Sequence, residues 1–139
     1  MSEKRFSIKV AVHLILEKDV KIIMLRRFNT GWQDGNYSLV AGHFDGGERG
    51  RDAMVREAKE EAGIDVLADD LEVVNVMHRM DGEERMDFFF TTEKWEGEPV
   101  NNEPDKCDEM KWVSIDELPE NTIPYIREGV GAYKKGVVY

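Results

Sequence analysis

The sequence predicts an α/β fold, a mixed β-sheet sandwiched between helices in an α/β/α arrangement. Three observations predict it. Short segments rich in Val, Ile and Phe recur along the chain, two stretches carry helical periodicity, and the helical stretches are interleaved with the strand-like ones.

The elements follow in order. Phe6 to Leu16 alternates loosely and reads as a strand. Glu17-Lys18-Asp19 is a polar turn, and Val20 to Arg26 returns as its hairpin partner with Ile22, Ile23, Met24 and Leu25 as buried residues. Phe28 to Asn36 is a loop, Tyr37 to Val40 a short strand, and Gly42 to Gly50 a second, glycine-rich loop. Arg51 to Ala62 is the clearest helix: Val55, Ala58 and Ala62 form an apolar face, and Gly63 is the stop signal. Leu71 to Met80 and Arg85 to Thr92 are strands joined by an Asp81-Gly82 turn. Trp95 to Asp108 is a long polar loop, Glu109 to Ile115 a last strand, and Ile123 to Lys135 a closing helix. Ile123, Tyr125, Ile126, Val130 and Tyr133 are its packing face.

With 139 residues, the chain is expected to form one domain spanning 1–139. Hydrophobic residues at 41% supply a core, which excludes a disordered class. No apolar run approaches the roughly 20 residues that span a bilayer. No signal-peptide region follows Met1 to Arg5, so a cytosolic (cytoplasmic) location and no membrane partner are expected. A single cysteine, Cys107, cannot close an intrachain disulfide, and one thiol does not build a cysteine zinc site. The net charge of −10 repels polyphosphate chains at long range, so no stable nucleic-acid binding is expected. A small phosphorylated ligand remains compatible if metal ions or a few arginines supply local positive charge.

Glu57, Glu60 and Glu61 are spaced i, i+3, i+4 on the clearest helix. That spacing sets three carboxylates on one face, with β-carbons about 5–6 Å apart. Their mutual repulsion is relieved by a hard divalent cation, since Mg²⁺ prefers oxygen ligands. The competing reading is a solvated acidic face offset by Arg56 and Lys59.

The surroundings decide between the two. Gly42, five residues, Glu48, seven residues, then Arg56-Glu57-Ala58-Lys59-Glu60-Glu61-Ala62-Gly63-Ile64 resembles the signature of the Nudix (MutT-like) hydrolases at every position. Ala58 stands where a larger aliphatic residue is more usual. Trp95 to Lys106 resembles the family's long loop, and Trp112-Val113 with Asp116 to Pro119 its last strand and turn.

The resemblance implies the Nudix fold and a magnesium-dependent hydrolase, Mn²⁺ being the alternative ion. It implies Glu57, Glu60 and Glu61 as metal ligands, with the backbone carbonyl of Ala41 and the loop residue Glu103 completing the shell. Glu57 is the first candidate for general base and Glu60 the second, by accepting a proton from an activated water. Arg56 orients the carboxylates; Gly42, Glu48 and Gly63 support the loop-helix unit. Arg26 and Arg27 are candidate phosphate contacts through forked guanidinium groups, with solvated edge charge as the alternative. His43 beside the metal-binding turn is a candidate phosphate donor. Trp32, Tyr37 and Phe44 are candidate stacking partners for a ring, at least two of them better read as packing. His13 and His78 lie within strands and need no function.

The resemblance therefore implies a pyrophosphohydrolase of a nucleoside triphosphate or related nucleotide. ADP-ribose or a nucleotide sugar is the alternative substrate, and a non-catalytic nucleotide sensor the alternative class. An isopentenyl-diphosphate isomerase is rejected because no cysteine precedes Gly42. A small nucleotide-like substrate is the expected partner, and a second copy of the chain is a candidate, since dimers are common in the family.

Overall fold

The burial of one strand sets the architecture of the computed structural model, which describes residues 5–80 and 82–139. Strand β1 (Lys9–Ile15) turns Val12 and Leu14 to one face and His13 and Ile15 to the other, and all four are buried. A strand apolar on both faces needs cover on both. Helix α1 (Gly50–Ala62) supplies one layer, packing Ala53, Met54, Ala58 and Ala62 with Val12 and Leu14. Helix α2 (Pro124–Lys135) supplies the other, packing Ile126 and Val130 with Ile15.

The central sheet has the order β5 (Val40–His43), β1, β7 (Arg85–Thr91), β6 (Glu72–Arg79). β1 runs parallel to β7, and the other two pairings are antiparallel, so the sheet is mixed as the sequence predicts. Phe90 joins the α1-side core and Phe89 the α2-side core, the period of two expected of a covered strand. The closing helix uses the predicted face, with Ile123, Ile126 and Val130 buried and Tyr125 and Tyr133 packed beside them. Among the described residues no helix is long and apolar enough to cross a membrane.

The structure departs from the sequence reading in several places. A second, antiparallel sheet accompanies the mixed one: β3 (Lys21–Arg27) pairs with β2 (Glu17–Lys18), β4 (Tyr37–Ser38) and β8 (Cys107–Ser114). The expected strand from Tyr37 to Val40 is two strands. Tyr37–Ser38 pairs with β3, Val40–His43 pairs with β1, and the chain changes sheets at Leu39. Gly42 and His43 are therefore strand rather than loop. The first hairpin turns at Asp19-Val20, with φ of 54° and 63°, and not at Glu17-Lys18, which pair with β3. β8 begins at Cys107, inside the expected loop. Asp81, half of the expected Asp81-Gly82 turn, lies outside the described residues.

Candidate active site

One face of α1 is buried as small side chains, and this brings the acidic face to a cleft. Ala58 and Ala62 are fully buried against the sheet. Gly63 ends the helix at φ 66°, with its amide donating to the Lys59 carbonyl. The next segment docks on that end. The amides of Val100 and Asn102 donate to the carbonyls of Ala62 and Glu61 at 3.0 Å each, and the Asn102 side chain reaches those of Lys59 and Glu60. Carbonyls that a helix end leaves without partners are thus capped by a remote loop. That docking carries Glu103 to the cleft beside Glu61.

Arg56 is the hub of the polar cluster. It donates to Glu48 at 2.7 and 3.2 Å, to Glu57 at 2.7 Å, to Glu60 at 3.4 Å and to the His43 carbonyl at 3.2 Å. Asp45 lies 3.3 Å from the same guanidinium. Bonding to Arg56 holds the Glu48 carboxyl below the usual carboxylate range, and Arg56 itself is held above its ordinary value by Glu48 first and Glu57 second.

Glu57 and Glu61 point inward. Burial pushes the Glu57 carboxyl up, against the opposing pull of Arg56. Burial first, and the charges of Glu57 and Glu103 after it, push Glu61 up to about 8, although its carboxylate accepts the Ala41 amide proton at 2.8 Å. Gly42 makes this approach feasible: a Cβ on residue 42 would collide with the Glu57 carboxylate.

These residues fit a hard divalent cation. Glu57, Glu60, Glu61, Glu103 and the Ala41 carbonyl are all oxygen donors, and two of the carboxylates are held where negative charge is disfavoured without a neutralising partner. Among the described residues no three His, Cys, Asp or Glu side chains are already gathered tightly enough to hold an ion. Arg56 Nη1 bonds both Glu57 and Glu60.

The cleft is about 490 Å³ and runs from Ala41, Gly42, Glu61 and Glu103 to Trp32, Tyr125 and Asp87. Arg26, Arg27 and His43, the candidate substrate contacts, line it. Arg26 also bonds Asp108 at 2.8 Å, and Arg27 bonds the Trp32 carbonyl at 2.7 Å and Thr30 at 2.9 Å. His43 receives a bond from Arg85 at 3.0 Å. Phe44 does not line the cleft. It stacks on Phe88 at 6.4 Å between ring centres and packs on the α1-side core, so its expected substrate contact is replaced by packing. Tyr37 is buried, with its hydroxyl bonded to Glu109, whereas Trp32 remains 45% exposed at the cleft wall.

Sequence reasoning passed over His13, Asp87, Tyr125 and Arg79 as parts of the cleft. A charged Asp within the apolar run Arg85 to Thr92 was the one available signal, since a buried carboxylate in a strand needs a partner. The docking of Asn102 on α1 left no sequence signal.

A helix whose acidic face meets a strand end under a glycine, with a cleft beside it, is here set on an α/β/α frame. This chain belongs to the Nudix family: the NUDIX domain model matches residues 7–130. A Nudix hydrolase of Bacillus subtilis, YvcI, described as uncharacterized, is 26% identical over 108 residues, 75% of this chain and 65% of that protein. An ADP-ribose pyrophosphatase of Methanocaldococcus jannaschii is 44% identical over 55 residues, 40% of this chain and 32% of that protein. The chain thus matches less than two thirds of the length of either relative. Among solved structures, a MutT NUDIX hydrolase from Burkholderia pseudomallei superposes with a TM-score of 0.83 at 24% identity, covering 91% of this chain and 98% of that one. A MutT protein from Methanosarcina mazei superposes at 0.80 with 17% identity, covering 96% and 97%. At these identities the likeness to the solved structures is one of fold.

Proposed function

We propose that this chain is a metal-dependent pyrophosphohydrolase that cleaves the diphosphate linkage of a nucleoside triphosphate or related nucleotide, with Mg²⁺ or Mn²⁺ as the ion. The observation that carries this reading is the Gly42–Glu57 contact at the cleft end where Glu61 and Glu103 converge. Glu57, Glu60, Glu61, Glu103 and the Ala41 carbonyl would hold the cation. When bound, it offsets the charge of the diphosphate and lowers the pKa of an attached water.

The chain's own residues do the rest. Arg56 fixes the directions of Glu48, Glu57 and Glu60 through its forked bonds. Glu57 engages Arg56 through Oε1, which leaves Oε2 to accept the proton of the attacking water. The water oxygen bonds to one phosphorus, the bridging P–O bond breaks, and the leaving phosphate carries away the bond's electron pair. Arg26 and Arg27 bind phosphate oxygens along the cleft. Positioning and electrostatics suffice for this reaction, so no covalent nucleophile is required.

A second substrate reading, ADP-ribose or a nucleotide sugar, is supported by the 44% identity to the ADP-ribose pyrophosphatase, confined as it is to 55 residues. We infer residence in the cytosol from the lone, buried Cys107 and the lack of any disulfide it could form. The deciding experiment is a phosphate-release screen with Mg²⁺ over nucleoside triphosphates, nucleotide sugars and ADP-ribose, using a coupled phosphatase to reveal monoester products. Turnover of none of them rejects the proposal.

A further inference from the structure

The end of the cleft remote from the α1 carboxylates rests on a chain of hydrogen bonds whose direction is fixed. His13 is fully buried, and its Nδ1 lies 3.3 Å from the Phe88 carbonyl. A carbonyl only accepts, so the imidazole proton sits on Nδ1. Burial lowers the His13 pKa to about 4, which keeps the ring neutral and its Nε2 bare. The Tyr125 hydroxyl, 3.1 Å from that bare nitrogen, therefore donates its one proton to His13. The Tyr125 hydroxyl thereby keeps only lone pairs for any further partner, and Tyr125 lines the cleft.

Asp87 adds a second acceptor to the same floor. Its Oδ2 accepts from Arg79 at 2.9 Å, while Oδ1 is buried with no hydrogen-bond partner among the described residues. His13 Nε2, 3.7 Å away, is itself an acceptor in this tautomer. An orphaned buried carboxylate oxygen is costly and calls for a donor. Asp87, His13 and Tyr125 all line the cleft.

The wall beside this floor is a flat ring. Trp32 lies 6.4 Å from Tyr125 between ring centres. Its loop is held by Arg27, and by Asp34, which accepts from Thr30 and Gly31. A π surface next to the Tyr125 and Asp87 oxygens suits a planar ring whose edge carries N–H donors, and Arg79, whose guanidinium lies 3.6 Å over the Tyr125 ring, lines the same cleft.

Resting on the nucleotide reading above, we propose that this end of the cleft is a base-reading subsite. Trp32 carries the base by stacking, and Tyr125 and Asp87 select bases with an exocyclic amino group over bases with oxygen or hydrogen in its place. A carbonyl at that position would leave Asp87 Oδ1 unpaired, so the amino-bearing base is favoured.

The test compares matched nucleoside monophosphates by calorimetry on the wild-type chain, CMP against UMP and GMP against IMP, so that no turnover is needed. In the better-binding pair the amino member is expected to bind at least about tenfold tighter. Tyr125→Phe removes the acceptor and keeps the ring, and is expected to cut that ratio to about threefold or less with Mn²⁺ affinity unchanged. Asp87→Asn is expected to do the same; because it also strips Arg79 of a partner, Tyr125→Phe decides if the Asn variant does not fold. Equal affinities within both pairs, or an unaltered ratio in Tyr125→Phe, overturn the inference. Hydrolysis of triphosphates without base preference overturns it alone. Absence of both binding and hydrolysis rejects the nucleotide reading together with this one.

Discussion

The carboxylate of Glu57 occupies the space that a side chain on residue 42 would fill. A strand residue and a helix residue fifteen positions apart are thereby locked into one sequence pattern, since only glycine at 42 leaves room for the Glu57 carboxylate where it lies. Gly42→Ala is expected to displace Glu57 and, because the colliding atoms are the end of a flexible side chain, to cost the fold little beyond the Glu57–Arg56 bond. Thermal melts with and without Mn²⁺ check this. The variant should melt only slightly lower and should lose most of the stabilisation the ion gives the wild type; an ion-induced shift equal to that of the wild type would remove Glu57 from the binding shell.

Arg56 touches Glu48, Glu57, Glu60 and the His43 carbonyl at once, a fork that an ammonium does not reproduce. Arg56→Lys should therefore keep the charge and still lose about 10–100-fold in kcat/KM, the usual cost of disturbing groups that orient metal ligands. Steady-state kinetics at saturating Mg²⁺ measure it. Full activity in the lysine variant would reduce Arg56 to a charge-balancing role.

Glu103 is carried to the cleft by a loop that caps α1 through Asn102. Glu103→Gln and Asn102→Ala should both weaken cation affinity by about tenfold, with a smaller effect on the rate at saturating ion. Titrating Mn²⁺ against each variant separates the two quantities. Unchanged affinity in both would place the loop outside the metal shell.

His13 is buried neutral, with its pKa lowered to about 4 from 6.5. Its folded-state value is below its unfolded one, so between pH 6.5 and 4 the unfolded chain binds more protons. Stability therefore falls as pH drops through that window and levels off below it as far as this group is concerned. The full loss is on the order of 3 kcal/mol. Urea melts of wild type and His13→Gln from pH 7 to 4 should differ in slope across the window; parallel slopes would mean that His13 is protonated in the folded state.

The helix that carries the carboxylates was legible because three independent signals agreed: the apolar positions 55, 58 and 62, the glycine stop at 63, and the acidic spacing of 57, 60 and 61. The switch of sheets at Leu39 was not, because residues 37–40 are buried on either side of it and a continuous apolar run hides a change of partner. Phe44 illustrates a different limit: an aromatic residue next to a site motif reads the same whether it faces the cleft or stacks on Phe88. The floor of the cleft was beyond reach because His13, Asp87 and Tyr125 come from three elements up to 112 positions apart.

The most direct test of the central claim is phosphate release from the preferred substrate by wild type and Glu60→Gln, each with and without Mg²⁺. Glu60 is the most exposed of the acidic groups bonded to Arg56 on the helix, so the substitution leaves the core untouched. The wild type should release phosphate only with the ion, and the variant should retain its melting temperature while losing about 100-fold or more of that rate. Release that is indifferent to Mg²⁺, or equal in the two proteins, would contradict a metal centre built on the α1 carboxylates.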